Sequence, residues 1–334
     1  MTINWGIIGC GAIADKCTAR AMKEAKGSKL VAVMRRDLDK CRAFAEKWDV
    51  SRYYGTVDEV LRDDEVNAVY VATPIYVHHE QSIAAAEAGK HVLVEKPMGM
   101  TSSECQEMID ACDANGVKLM VAFYQRFNAR HQKMQHMLAE GQIGQVVAAR
   151  IQFGQYYPEI EGSWRQIPEQ GGGGTIMDTG SHCIDTLRMV LGAEVTEVSA
   201  FLDTLVFKYP VDDTTSILLK FDNGAHGLVT SYFTTPDVDH YSLNILEVYG
   251  TGGRIVTSPI NDKNSHGFLK IWTNEEWNEF YFDHNTHVAM IEDFVQAVEE
   301  GRETAIPGKE GLIGMKVIEA AVESGKTGKA VEVA

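Results

Sequence analysis

The stretch Trp5-Gly6-Ile7-Ile8-Gly9-Cys10-Gly11-Ala12-Ile13-Ala14 decides how the chain is read. Trp5 to Ile8 is a short apolar run of the kind that forms a buried strand. Gly9, Gly11 and Ala14 follow at the spacing G-x-G-x-x-A. In a dinucleotide-binding turn each small residue has a job. Gly9 permits the tight turn, Gly11 lets the backbone approach a pyrophosphate, and Ala14 lets the next helix pack closely on the strand. N–H groups at that helix start favour an anion. Small residues also occur in ordinary turns, so the motif draws its force from the strand before it and the amphipathic run after it. On that context the turn Gly9, Cys10, Gly11, Ala12 and Ile13 is expected to hold a dinucleotide.

Working outward, helical periodicity from Ile13 to about Lys26 leads into Lys29-Leu30-Val31-Ala32-Val33, a second strand. The span is that of a βαβ crossover. An NAD site usually places an acidic residue at the end of this strand, about 20 residues beyond the glycines, to bond the ribose 2′-OH. Here Met34-Arg35-Arg36 stands there and Asp37 comes later. Two guanidinium groups suit a 2′-phosphate, so NADP is expected in preference to NAD. The alternative is that Arg35 and Arg36 are solvated charges and Asp37 is the N-cap of the next helix.

The alternation continues through helices at Leu38 to Trp48, Val57 to Arg62, Val77 to Ala88 and Ser102 to Asn115. The strands between and after them are Arg52 to Tyr54, Asn67 to Ala72, His91 to Val94 and Lys118 to Ala122. This is the pattern of a doubly wound parallel sheet, whose ligands bind beyond the carboxyl ends of the strands. Gly9, Arg35, Thr73, Lys96 and Tyr124 all stand at such ends. After Arg126 the character changes. A helix at Ala129 to Glu140 and an alternating strand at Val146 to Tyr157 precede Gly171-Gly172-Gly173-Gly174, which leads into a helix at Thr175 to Leu191. The segment Val195 to Phe282 reads as successive strands joined by turns, one of them starting at Ser242, so an antiparallel sheet is expected. Two helices, Thr286 to Glu300 and Glu310 to Ser324, follow. The expected division is therefore a Rossmann-type domain over residues 1–126 and an α/β domain with a large, open, mostly antiparallel sheet over 127–334, the final helices packing back on the first.

The 334 residues carry 45% hydrophobic and 23% charged side chains, an ordinary globular balance, and a formal net charge of -16. That charge argues against a surface that tracks phosphates, so nucleic acid is not expected as a partner. No run reaches the roughly 18 apolar residues of a membrane span. Met1 to Asn4 leads straight into the first strand, so no signal peptide is expected. Cys10, Cys17, Cys41, Cys105, Cys112 and Cys183 form no C-x-x-C pair, which fits a reduced, cytoplasmic setting.

Lys96 is the sharpest chemical candidate. It follows a buried strand and precedes Pro97, which biases Lys96 toward extended geometry and allows a cis bond. A lysine beside a cofactor pocket can exchange a proton with substrate; the alternative is a solvated loop lysine. Asp178 and His182 are four apart on one expected helix and so share a face, which Asp185 continues. A carboxylate one turn away fixes an imidazole's tautomer, and His182 then takes a hydroxyl proton as hydride leaves the carbon. Two structural alternatives compete: Thr175 and Asp178 fit a capping box, and His182 fits a satisfied core histidine. No third ligand stands at metal spacing, so no metal is expected.

At this point the chain resembles the glucose–fructose oxidoreductase, inositol dehydrogenase and MocA-like oxidoreductase family. The resemblance rests on Gly9-x-Gly11-x-x-Ala14, on Thr73-Pro74 with His78, on Glu95-Lys96-Pro97, and on Gly172-Gly173-Gly174 leading to Asp178-x-x-x-His182. It extends over essentially the whole chain. It implies an N-terminal Rossmann domain and a C-terminal domain whose open sheet forms the oligomer interface, as a homodimer or homotetramer. It implies that Lys96, Asp178 and His182 carry proton transfer and substrate binding, and that Thr73, Pro74, His78 and Glu95 belong to the cofactor side. Trp164-Arg165 is similar to the 1,5-anhydrofructose reductase branch, where such residues line the pocket. Arg35-Arg36-Asp37 is more like the NADP-using dihydrodiol and xylose dehydrogenase branches. Tyr124, Arg126, Tyr156, Trp164 and Arg165 are therefore candidate substrate contacts, with Tyr156, Tyr157 and Trp164 offering apolar faces to a sugar ring.

Two functions follow. One is hydride transfer between NADP or NAD and a secondary hydroxyl or ketone of a sugar, anhydrosugar or polyol, with cofactor and substrate meeting between the domains. The other is a dinucleotide-binding sensor without turnover on the same fold. Lys96, Asp178 and His182 together favour the enzyme.

Overall fold

A computed structural model describes residues 2–236 and 244–334. The described residues fall into two compact units, one made of the chain up to Phe123 with His287–Ile313, the other of Tyr124–Thr286 with Gly314–Ala334.

The first unit is built on six parallel strands, β1 (Ile3–Ile8), β2 (Ser28–Met34), β3 (Arg52–Tyr54), β4 (Ala68–Val71), β5 (His91–Val94) and β6 (Leu119–Val121), in the order β3-β2-β1-β4-β5-β6. The order reverses between β1 and β4, the switch point at which open α/β sheets bind ligands. Four residues of β1 and all four of β4 are apolar and buried, with Trp5, Ile7, Ile8, Val69, Tyr70 and Val71 at 0% exposure, as a sheet covered on both faces requires. The crossover helices are α1 (Ala19–Glu24), α2 (Leu38–Trp48), α3 (Val57–Leu61), α4 (His78–Glu87) and α5 (Ser102–Ala114). Thr56 and Glu59 form a reciprocal capping box that starts α3.

The first crossover departs from the expected continuous helix. Ala14–Thr18 is a π-helical turn, and α1 ends at Glu24 rather than Lys26. The wider turn buries Ala14, Cys17 and Thr18 together, and Thr18 Oγ1 donates to Tyr70 Oη at 3.2 Å. Such single π turns occur chiefly at functional positions.

The second unit contains α6 (Ala129–Ala139), β7 (Val146–Gly154), α7 (Pro168–Gly171), α8 (Ser181–Leu191), β8 (Val195–Asp203), β9 (Thr214–Phe221), β10 (His226–Tyr232), β11 (Leu246–Gly250), β12 (Gly253–Ser258), β13 (Phe268–Thr273) and β14 (Glu276–Phe280). The expected strand from Ser242 begins at Leu246; residues 242 and 243 lie outside the described residues. Helices α9 (Thr286–Glu300) and α10 (Gly308–Thr327) precede a short β15 (Val331–Glu332), which the sequence reading did not anticipate. The nine strands run β14-β13-β12-β11-β7-β10-β9-β8-β15. Every pairing is antiparallel except β7 with β10. Ala149, Ile151, Phe153, Val198, Ile217, Leu219, Val229, Val248 and Ile255 alternate onto one buried face, and α6 and α8 pack against strands of this sheet.

Candidate active site

In the first unit the glycine turn is shaped for a close visitor. Gly9 has φ of +91°, and a Cβ there would meet the Ala72 backbone at 2.9 Å and the Thr73 methyl at 2.8 Å. Only glycine takes that conformation without strain. The amides of Gly9 and Cys10 both donate to the Met34 carbonyl at 3.0 Å, tying the turn to the end of β2. A Cβ on Gly11 would meet only the Gly9 carbonyl, at 3.9 Å, so the space above it is open. Cys10 is buried while Ala12 is exposed and Ile13 half-buried. A turn fixed from below and open above fits a pyrophosphate.

Arg35 leans on this turn, its Nη1 donating to the Cys10 carbonyl at 3.3 Å, and Arg36 is exposed beside it. Asp37 is the N-cap of α2, where its Oδ1 accepts from Lys40 N at 3.1 Å and its Oδ2 lies 2.8 Å from Lys40 Nζ. These bonds from Lys40 hold the carboxyl below the usual carboxylate range. The N-cap half of the alternative reading is thus correct for Asp37.

Beyond β4 and β5 two loops are tied together. His78 is buried, with Nδ1 3.0 Å from the Pro97 carbonyl and Nε2 2.9 Å from the Thr73 carbonyl. Burial pushes the imidazole down to about 4, so the ring is neutral and donates from one nitrogen only. Both nitrogens face backbone, so the side chain braces the Thr73-Pro74 and Lys96-Pro97 loops from behind. Thr73 Oγ1 donates to Gln81 Oε1 at 2.7 Å. Glu95 accepts from Tyr70 Oη through Oε1 and from Lys96 N at 3.2 Å through Oε2. Burial, then the Glu95 charge, push the Tyr70 phenol well above its ordinary value, so it stays a donor. A chain Thr18–Tyr70–Glu95 therefore runs from the π turn to the Lys96 backbone. Lys96 is half-buried and its bond to Pro97 is cis.

In the second unit His182 is 4% exposed. Its ring lies 5.2 Å from that of Tyr124, edge-on at 73°, and 5.8 Å from that of Phe153. Asp178 sits not on an α-helix but on a π-helical turn, Ile176–Gly180, that precedes α8. Gly180 N donates to Thr175 O at 2.7 Å and Asp178 N to Gly174 O at 3.1 Å. The four-residue spacing of Asp178 and His182 is thus not that of one continuous α-helix, because the turn between them is wider. The capping-box alternative fails: Thr175 makes no side-chain cap, and its hydroxyl donates to Asp212 Oδ2 at 2.5 Å. Arg165 Nε lies 3.5 Å from Asp178 Oδ2, and its guanidinium stacks 4.3 Å over the Trp164 ring.

The structure thus brings Trp164 and Arg165 to Asp178, and Tyr124 to His182. Arg126 pairs with Asp185. Its Nε and Nη2 hold Asp185 at 3.0 and 2.7 Å, a bidentate pair in which the carboxylate is 1% exposed. Tyr156 is 51% exposed, with its ring 6.3 Å from Phe207. Phe153 and Asp212 escaped the sequence reading. Phe153 was legible only as one inward position of β7, and Asp212 only as half of an acidic pair opening β9.

Against known proteins, a sequence profile described as an oxidoreductase family with an NAD-binding Rossmann fold matches residues 3–123. One described as the GFO/IDH/MocA C-terminal domain matches residues 131–256. A 1,5-anhydro-D-fructose reductase of Ensifer adhaerens is 31% identical over 99% of this chain and 98% of its own length. The chain belongs to the GFO/IDH/MocA family. A D-xylose 1-dehydrogenase (NADP(+)) of Haloferax volcanii is 30% identical over 98% of this chain and 99% of its own. The crystal structure of an aldose–aldose oxidoreductase from Caulobacter crescentus complexed with glycerol superposes with a TM-score of 0.92 at 26% identity, over 99% of this chain and 100% of that one. The GFO/IDH/MocA membership makes this protein an oxidoreductase with an NAD-binding Rossmann domain, as its motifs imply. No described helix is long and apolar enough to cross a membrane.

Proposed function

We propose that the protein is an NADP-preferring dehydrogenase or reductase acting on a secondary hydroxyl or ketone of a sugar, anhydrosugar or polyol. The observation that carries the cofactor preference is the engagement of Asp37 by Lys40 while Arg35 lies on the glycine turn. With the acid occupied, a 2′-phosphate meets guanidinium rather than carboxylate. The full-length relatives named as an anhydrofructose reductase and an NADP(+) xylose dehydrogenase support the substrate class.

The turn Gly9 to Ile13 would hold the pyrophosphate, and Arg35 and Arg36 the 2′-phosphate. Bound there, NADP supplies or accepts the hydride. The chain supplies the proton path and the orientation. His182, walled by Tyr124 and Phe153, takes the proton of the substrate hydroxyl, and Asp178 favours the charged imidazole that results. Lys96, beyond the end of β5, is the second proton-transfer group. Arg165, stacked on Trp164, pairs with Asp178 and offers its remaining N–H groups to substrate hydroxyls. Working as a homodimer or homotetramer in the cytoplasm completes the proposal; all six cysteines are buried and none is bridged.

The test is turnover of D-xylose, 1,5-anhydro-D-fructose, D-glucose, levoglucosan and myo-inositol with each cofactor in each direction. At least one sugar should turn over, faster with NADP(H). His182→Asn and Lys96→Met should each lower kcat by about 10²–10⁴ while cofactor affinity holds. The double variant should lose far less than the product of the two. Near-normal turnover in both single variants would overturn the proton-transfer assignment.

A further inference from the structure

Asp212 lies in the turn before β9, and its carboxylate is spent mainly on the segment that carries Asp178. Oδ1 accepts from Gly174 N at 2.8 Å. Oδ2 accepts from Thr175 Oγ1 at 2.5 Å, Ile176 N at 2.9 Å and Thr215 Oγ1 at 2.8 Å. The Asp212 carbonyl in turn accepts from Thr175 N at 3.0 Å. Three successive residues, 174 to 176, are thus pinned by one side chain and its own backbone. The first turn of a helix leaves its N–H groups without intrahelical partners, and here a fixed anion takes that of Ile176 together with that of Gly174 just before the turn.

The approach is close enough to dictate the glycines. A Cβ on Gly174 would overlap the Asp212 carbonyl, and one on Gly173 would meet Ile176 and Met177 at 3.0 Å and Asp212 Oδ1 at 3.5 Å. The glycine at 174 is therefore explained by the Asp212 backbone rather than by a ligand. Further along, Thr179 Oγ1 is hydrogen-bonded to Ser231 Oγ of β10, so the same turn is also held to the sheet. Between these anchors the chain makes the π turn, closed by the bond from Gly180 N to Thr175 O.

We infer that Asp212 is a positioning residue for the reaction: by fixing Gly174 to Ile176 it sets the phase of the π turn, and so where Asp178 and His182 point. This rests on the reading of His182 and Asp178 as the proton-transfer pair. A displacement of the order of 1 Å at a reacting group costs about a hundredfold in rate, so an anchor of four hydrogen bonds at the head of the segment controls rate without touching substrate.

The neighbouring Asp213 provides a matched control. It too is a carboxylate satisfied by backbone, accepting from the amides of Leu205, Val206 and Phe207 at 2.9, 2.8 and 2.9 Å. None of those bonds reaches the 174–180 segment. The experiment compares Asp212→Ala, Asp212→Asn, Asp213→Ala and wild type in melting temperature, in amide exchange at Gly174, Ile176, Asp178 and Gly180, in the chemical shifts of the His182 ring protons, and in kcat and KM for the panel sugar turned over fastest. Asp212→Ala should speed exchange at those amides at least about tenfold, move the His182 ring signals and lower kcat by about ten- to a hundredfold, with NADPH affinity kept. Asp212→Asn keeps one acceptor oxygen and should fall between. Asp213→Ala should lose as much melting temperature but leave His182 signals and kcat near wild type. The inference is overturned if both Asp212 variants leave the ring signals in place, or if Asp213→Ala moves them equally. The exchange and ring-signal measurements need no turnover, so failure of the proton-transfer reading, seen as full activity in His182→Asn, is distinguished from failure of the anchor.

Discussion

At the scale of single residues the cofactor preference is the sharpest prediction. Arg35→Asp replaces a phosphate partner with a repelling charge and breaks the bond to the Cys10 carbonyl. The loss of one charged contact should weaken NADPH binding by about ten- to a hundredfold, while NADH binding changes little. Titrating both cofactors by fluorescence decides it, and an equal loss for both would sink the assignment. Much at this scale was legible in the sequence. Gly9, Gly11 and Lys96 announce themselves because backbone clearance and strand-end position follow from residue type and spacing. The partner of Asp37 was foreseeable, since an N-cap acts within its own turn. The partners of Asp178 were not. Arg165 lies 13 residues before Asp178, and Asp212, which holds the segment leading to it, lies 34 after; both arrive only through packing.

At the scale of elements, both departures from the expected helices are π turns, at Ala14–Thr18 and Ile176–Gly180. Hydrophobic periodicity cannot reveal them, because a single inserted residue shifts the phase by less than the width of the buried face. Helix α8 is different again: its buried set includes Ser181, His182, Asp185, Thr186 and Arg188, so polarity does not mark its solvent face. What holds this helix is the Arg126–Asp185 pair, 14% and 1% exposed. Removing one partner leaves an uncompensated buried charge, so Asp185→Ala should cost about 3–5 kcal/mol of stability. Replacing both, as Arg126→Met with Asp185→Leu, should recover most of that. Urea unfolding midpoints at constant slope measure both values. A single-variant loss below about 1 kcal/mol would mean the pair is solvated rather than buried.

At the scale of the molecule, alternation of strands and helices was enough to read the parallel sheet, and turn chemistry enough to read the second sheet as mostly antiparallel. Strand order within that sheet was not readable, since the parallel β7–β10 contact joins segments about 80 residues apart. The order matters for assembly. On the face opposite the buried one, Leu218 of β9 stands beside Leu228 of β10, with Phe201 two positions along β8 from Ser199, which pairs with Leu218. Their exposures are 59%, 39% and 75%. Farther across the same face stand the Arg150–Glu247 and Lys270–Glu279 ion pairs and the stacked Arg254 on Trp277. An apolar patch rimmed by charge pairs is the surface a second copy would cover. The protein should therefore associate through this face at micromolar concentration. Leu218→Glu places a charge at the centre of the patch and repels its own copy across a two-fold axis, where one substitution is felt twice. Light scattering should then show wild type as a dimer or tetramer and Leu218→Glu shifted toward monomer by at least about tenfold in concentration, at unchanged melting temperature measured on the monomer. A wild-type monomer at micromolar concentration, or a Leu218→Glu variant that associates as before, would place the interface elsewhere.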